Sequence, residues 1–327
     1  MHDASAVQSG VTSSERLGRR AAPYILILPS IILAFWIIGF PIWDVANMSL
    51  HAVNRFGQLK GFAGFDNFSH LVTEPLFVGC LFRTLIWTVS VVGGTVVLSM
   101  PIALILNENF GGRRIARIII MLPWAVSLTM SGIVWRWALD GQSGMVNATL
   151  FNLGIIHRPI AWLATAGTAF PVEIAIGILV SIPFTVTVYL GGLASFPVEI
   201  FEAAKIDGAS PWQEWRYLTF PLLRPFINIA LVLNTIYVFN SFPLIWVMTQ
   251  GDPANSTDIF VTWLYKLAFR YGKLDVAAAL SLVMFLILLS FTIAYSTLAM
   301  RDEEESAKST GAPGSAGAGA QTGAIST

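Results

Sequence analysis

Two regions of this 327-residue chain combine residue types and spacings that could do chemistry, and neither has the make-up of a catalytic centre. The first is Glu202-Ala203-Ala204-Lys205-Ile206-Asp207-Gly208-Ala209, followed by Leu218-Thr219-Phe220-Pro221. It sets carboxylates beside small alanines in a polar interruption of apolar sequence, which suits charge-matched contact with another surface. The second is a set of neutral polar residues inside apolar sequence: Asn234, Tyr237, Asn240 and Ser241, with Ser181, Phe184 and Thr185 upstream. Asn234, Tyr237, Ser241 and Leu244 recur at three- and four-residue spacing, the signature of one helical arc, and Asn240 lies close to it. Amides and hydroxyls at membrane depth need partners. They suit either the hydroxyls of a sugar, with aromatic faces against its C–H surface, or hydrogen bonds that join helices.

Bond-making chemistry has no motif here. No Gly-x-x-x-x-Gly-Lys-Ser/Thr loop is present to cradle nucleotide phosphates, His2, His51, His70 and His157 form no His-Glu-x-x-His pair, and no Gly-x-Ser-x-Gly elbow occurs. The single Cys80 excludes an internal disulfide and a multi-cysteine metal cluster. The sequence therefore assigns this chain no cofactor, no metal and no enzymatic activity of its own. Lys plus Arg and Asp plus Glu both number 19, so no basic excess points to nucleic acid.

Hydrophobic residues make up 55% and charged residues 12%, with mean hydropathy +0.69, whereas soluble domains carry about a quarter charged residues. This is the composition of a polytopic membrane protein. A helix crossing the bilayer needs roughly 20 mostly apolar residues, and six stretches qualify: 23–43, 81–106, 115–139, 169–194, 226–248 and 276–300. The expected fold is an all-α membrane protein with six transmembrane helices. Arg16, Arg19 and Arg20 before the first span, and Arg113, Arg114 and Arg117 between the second and third, place both termini in the cytoplasm. The chain divides into a cytoplasmic tail at 1–20, a membrane domain at 21–300 with a polar loop at 195–225, and a tail at 301–327 too polar to order itself.

The loop has its own grammar. Pro197 suits a first helical turn, Glu199 the positive end of the helix dipole, and Gly208 a left-handed residue that stops the helix. Ser210 then fits an N-cap, Pro211 the first helical position and Gln213 a capping box, with Pro221 limiting the far end. Two short helices hinged at Gly208 are expected.

In spacing, this loop resembles the EAA loop of ABC importer permeases: Glu-Ala-Ala, a Gly, nine residues, then Ile-x-Leu-Pro, with Leu218 and Phe220 standing for the Ile and Leu. Other segments resemble the carbohydrate-uptake branch that includes maltose-type permeases: Gly64-Phe65-Asp66-Asn67-Phe68, Thr84 to Thr88, Gly272 to Ser281, and Thr249-Gln250-Gly251-Asp252-Pro253, where Asp252 replaces a glycine. Within that branch the chain looks most like a permease of a trehalose importer. The resemblance implies a type I ABC importer permease fold in a bacterial cell membrane. It implies coupling to an ATPase through Glu202, Ala203, Ala204, Asp207, Gly208, Leu218 and Pro221. It also places sugar contacts in the fifth span and in the middle of the fourth, and points to alternating access for a disaccharide such as trehalose or maltose.

The implied partners are a second permease, a dimer of ATPase subunits that hold ATP and Mg, an extracytoplasmic solute-binding protein, the sugar and the bilayer. Two other classes fit less of the sequence. An ion-coupled secondary transporter would carry a mid-membrane acidic residue and often an internal repeat, and neither is evident. A membrane scaffold or receptor would use the same loop without moving substrate. Arg83, Arg136 and Glu173, near span ends, are expected to anchor at the membrane interface, and Gly93-Gly94 and Gly191-Gly192 to allow close helix approach.

Overall fold

Long apolar stretches in this chain have no way to satisfy their backbone in lipid except as helices, and the computed structural model, which describes residue 24 and residues 26–309, is built from them. The tail at 1–20 and the end of the other tail, 310–327, lie outside the described residues. The first long helix, α1, is Leu26–Ser49. A small antiparallel hairpin, β1 (His51–Val53) and β2 (Leu59–Phe62), and a short helix α2 (Asp66–Thr73) follow at one end of the molecule, called here the hairpin end. Helix α3 (Pro75–Asn107) descends from there to the opposite end, and α4 (Arg113–Ala125) returns.

The third expected span is broken. Helices α4 and α5 (Leu128–Ala138) meet at 97°. Val126 and Ser127 are extended there, and Ser127 accepts from the Met130 amide as the N-cap of α5. Short helix α6 is Met145–Asn152, and α7 (Ala166–Ser195) descends again. After α8 (Val198–Ile206), the helix α9 runs unbroken over Pro211–Phe239. Then come α10 (Phe242–Met248), α11 (Phe260–Tyr265) with a wide π-helical turn at Lys266–Arg270, and α12 (Leu274–Ser309). Five helices are long and apolar enough to cross a membrane, or six with the bent pair counted as one span.

The first two helices overrun their expected spans, to Ser49 and from Pro75, and three further boundaries differ for identifiable reasons. The fifth span ends at Phe239 rather than at 248, because Pro243 would drive its ring into the Phe239 carbonyl four residues back if the helix continued. Pro221, expected to end a short helix, lies inside α9. The π-helical turn Trp215–Thr219, closed by the Phe220 amide on the Trp215 carbonyl, opens the spacing in front of Pro221 and absorbs its missing donor. Helix α12 continues to Ser309, since residues 301–309 contain good helix formers and no Gly or Pro.

Three buried clusters stack along the bundle. Leu71, Phe260 and Trp263 lie at the hairpin end, Trp87, Val91 and Ile176 in the middle, and Met100, Tyr189 and Leu223 toward the loop at 195–225. Helices α3 and α7 form its spine, and glycine sets their separation. A Cβ on Gly177 would sit 2.9 Å from the Trp87 ring, and one on Gly94 would meet Ile178 at 2.5 Å. Gly192 packs likewise on Leu223 and Phe226, whereas Gly93 and Gly191 face open space and play no such part. The first part of helix α1 stands off this bundle, its apolar side chains exposed from Leu26 to Trp43, whereas its last turns up to Ser49 pack against α12.

Candidate functional site

The loop at 195–225 begins where α7 ends at Ser195, with Phe196 and Pro197 extended, so Pro197 caps α8 instead of entering its first turn. Glu199 lies in that first turn. At the other end Gly208 takes the left-handed conformation at φ +77°. Its amide donates to the Lys205 carbonyl at 3.1 Å, and the Ala209 amide to the Ala204 carbonyl at 3.0 Å. This pair of bonds is a Schellman stop and requires a residue without a Cβ penalty. The capping box then starts α9 at once: the Ser210 hydroxyl accepts from the Gln213 amide at 3.3 Å, and the Gln213 side chain accepts from the Ser210 amide at 2.8 Å.

The result is a stiff angle in place of a floppy loop. Glu202, Ala203, Lys205 and Asp207 are exposed, Ala204 and Leu218 are half-buried, and Pro221 is exposed. The inner side of the angle is a cleft of about 420 Å³ lined by Ala204, Asp207, Gly208, Gln213, Glu214 and Tyr217. Trp212 stacks on Trp215 at 4.8 Å, and Trp215 meets Phe220 at 5.6 Å. All seven residues of the expected coupling set lie in this corner or in the first turns of α9.

The polar set at membrane depth separates into three groups. Asn234 is buried and donates to the Thr185 hydroxyl at 2.9 Å and to the Ala230 carbonyl at 2.8 Å, so these two residues tie α9 to α7. Ser181, Tyr237 and Ser241 come together around one small cavity with Trp87, Gly177 and Leu128. At about 10 Å³ it has room for roughly one water. Asn240 and Phe184 fall elsewhere. The Asn240 side chain bends back onto the Ile236 carbonyl at 2.9 Å, and Phe184 lies 6.2 Å from the Trp124 ring beside the break in the third span.

Asn240 and Ser241 are not helical, so the expected arc through Ser241 and Leu244 does not exist. The Phe242 amide instead closes a tight turn onto the Asn240 carbonyl at 2.8 Å. The exposed stripe of α9 includes Ile229, Leu233, Ile236 and Tyr237, and Asn240 just past its end is exposed as well. Sequence reasoning missed Trp87, whose indole donates to the Val238 carbonyl at 2.9 Å and fixes α3 against the end of α9. An indole inside an apolar span, needing a hydrogen-bond partner, was the available signal.

A second polar cluster holds the hairpin end. Lys266 pairs with Asp258 at 2.6 Å with both side chains buried, Thr262 donates to Asp258 at 2.9 Å, and Lys266 also donates to Asn255 at 3.0 Å. Burial pushes the Asp258 carboxyl up, and the Lys266 ammonium pulls it back. Arg83 is not an interfacial anchor: its Nε donates to the Asp258 carbonyl at 2.7 Å. Glu173 is not one either, being fully buried and accepting from the Thr249 hydroxyl at 2.7 Å. Thr84 accepts from the Phe260 amide at 2.9 Å, and Asn67 donates to the Ser49 and His51 carbonyls at 2.9 Å each. The short motifs around Thr84 and Asn67 thus fasten the hairpin-end segments to the bundle. Among the described residues no group of three or more His, Cys, Asp or Glu side chains is arranged to hold a metal ion.

Residues 95–301, which span α7, the angled loop and α9, match the family of binding-protein-dependent transport system inner membrane components. The chain belongs to this family. A probable ABC transporter permease protein of Brucella suis biovar 1 is 59% identical over 285 residues, covering 87% of this chain and 99% of that one. The trehalose/maltose transport system permease protein of Thermococcus litoralis is 32% identical over 292 residues, covering 88% and 97%. A bacterial alginate ABC transporter, solved in complex with an alginate pentasaccharide-bound periplasmic protein, contains a chain that superposes with TM-score 0.75 at 22% identity, covering 88% of this chain and 96% of its own. The fold is that of a type I ABC importer permease, and the chain is a membrane-spanning permease subunit.

Proposed function

We propose that this permease forms, with a second permease, the translocation path for a sugar, in the disaccharide range of trehalose or maltose, and that ATP hydrolysis on a separate pair of ATPase subunits drives it by alternating access. The observation that carries this reading is the connection between the two candidate sites. The angled corner that presents Glu202 and Ala203 is clamped by the capping box to α9, and α9 is one helix of 29 residues, about 43 Å at 1.5 Å per residue. Tyr237 sits at its far end, beside Ser241 and Ser181.

A push on the corner therefore reaches the polar cavity through a single rod that ends in the Asn240–Ser241 break. The Thermococcus relative's trehalose/maltose designation supports the sugar class. In this reading both termini and the corner face the cytoplasm, and the hairpin end faces a solute-binding protein outside. Tyr237, Ser241 and Ser181 are the sugar-facing groups of this subunit, whereas Asn234 and Thr185 are helix ties. Ligand binding to the solute-binding protein that stimulates this complex tests the cargo: trehalose or maltose should bind it most tightly, and binding of a non-sugar solute alone would contradict the assignment.

A further inference from the structure

The hairpin end carries a cleft that shares no lining residue with the cavity at Ser181, Tyr237 and Ser241. It has a volume of about 330 Å³, and its walls come from the end of α5 and the turn after it (Arg136, Asp140), from the segment before α7 (Trp162), and from the segment after α10 (Thr249, Asp252). This falls in the range of about 300–1,000 Å³ in which proteins hold inserted groups.

The lining is polar, and two of its charges, Asp140 and Arg136, are anchored. Asp140 accepts from the Gln142 and Ser143 amides at 3.0 and 2.8 Å and from the Ser143 hydroxyl at 2.9 Å. Those bonds lower its pKa, so a carboxylate stands fixed at the rim. Arg136 is committed to the Val247 carbonyl at 3.1 Å. Asp252 is exposed and stands where the resembled turn has glycine, so this chain adds a negative charge at that wall. The Trp162 indole is tied back to Asn147 at 2.9 Å, which holds its ring as a rigid side of the cleft. The Thr249 hydroxyl on the third wall is held by the fully buried Glu173 carboxyl, to which it donates at 2.7 Å.

We infer that this cleft is a docking notch for a basic side chain projecting from the extracytoplasmic solute-binding protein, with its charged head between Asp140 and Asp252 and its stem along Trp162. Two carboxylates against one committed arginine select a cation, and a lysine or arginine stem suits an indole wall. The notch rests on the importer reading above. Its position gives docking a mechanical consequence, because Thr249 immediately follows α10, whose first residue, Phe242, adjoins the break at Asn240 and Ser241.

The test is ATP hydrolysis by the complete reconstituted complex, titrated with its solute-binding protein at low and high salt. Asp252→Lys should raise the half-saturating concentration about fivefold or more at low salt, with the difference shrinking as salt screens the pair. Asp252→Gly, which restores the turn's usual residue, should raise it about two- to threefold, and Asp252→Glu should leave it near wild type. Unchanged titrations for Asp252→Lys at both salt concentrations would overturn the notch. So would equal shifts for all three variants, which would mean a purely structural role. If the wild-type complex shows no stimulation at all, the importer reading fails and the notch falls with it.

Discussion

The Asn234 side-chain amide donates to the Thr185 hydroxyl at 2.9 Å, and this one bond joins α7 to α9 through two of the residues expected to contact sugar. Asn234→Ala removes that bond and the one to Ala230, and leaves the buried Thr185 hydroxyl without its partner. The expected cost is about 1–3 kcal/mol, read as a lowered midpoint in thermal unfolding of the complex, with the sugar concentration for half-maximal uptake unchanged. Tyr237→Ala and Ser241→Ala should show the opposite pattern, shifting sugar dependence more than stability.

Much of the corner was legible because its determinants are local. Gly208 as a left-handed stop, and Ser210 with Gln213 as a capping box, involve residues no more than five apart and follow from backbone chemistry alone. The seam was not legible in that way: Asn234 and Thr185 are 49 positions apart, and an amide in an apolar span reads equally well as a ligand contact or a tie. The end of the fifth span was readable in principle, since Pro243 forbids the bond to Phe239. The apolar run 242–248 concealed it. Glu173 and Arg83 were misjudged for a related reason. Distance from a span end says nothing about whether loop 249–259 folds over the side chain, and here that loop supplies partners to both.

Gly177 and Gly191 should respond differently to the same substitution. An added methyl on Gly177 meets Trp87 at 2.9 Å and Val91 at 3.0 Å, whereas one on Gly191 meets nothing within 4 Å. Gly177→Ala should destabilise by about 1–3 kcal/mol, and Gly191→Ala should stay within about 0.5 kcal/mol of wild type. Detergent-resistance or thermal unfolding profiles of the purified complex separate the two.

At Gly208, φ +77° is required by the Schellman stop. A β-branched residue there carries a strain of roughly 1–2 kcal/mol, which opposes the Schellman bonds that set the angle of the corner. Gly208→Val should therefore lower the sugar moved per ATP hydrolysed while the complex still assembles. Parallel uptake and phosphate-release measurements check this.

Lys266→Met leaves the Asp258 carboxylate buried with its ion-pair partner gone. Breaking a buried pair from one side costs about 3–5 kcal/mol, so the variant should accumulate poorly in the membrane. Replacing both residues, as Lys266→Met with Asp258→Leu, should recover part of the loss, because no uncompensated charge remains. Membrane yield of the assembled complex is the readout.

Sugar uptake into proteoliposomes tests the central claim most directly. The complex of this chain, its second permease, the ATPase dimer and the solute-binding protein should take up trehalose or maltose only with ATP present. Glu202→Lys should remove most of that uptake by reversing the charge that the corner presents. Uptake by this chain alone in response to an ion gradient, or full ATP-driven uptake by the Glu202→Lys complex, would contradict the account.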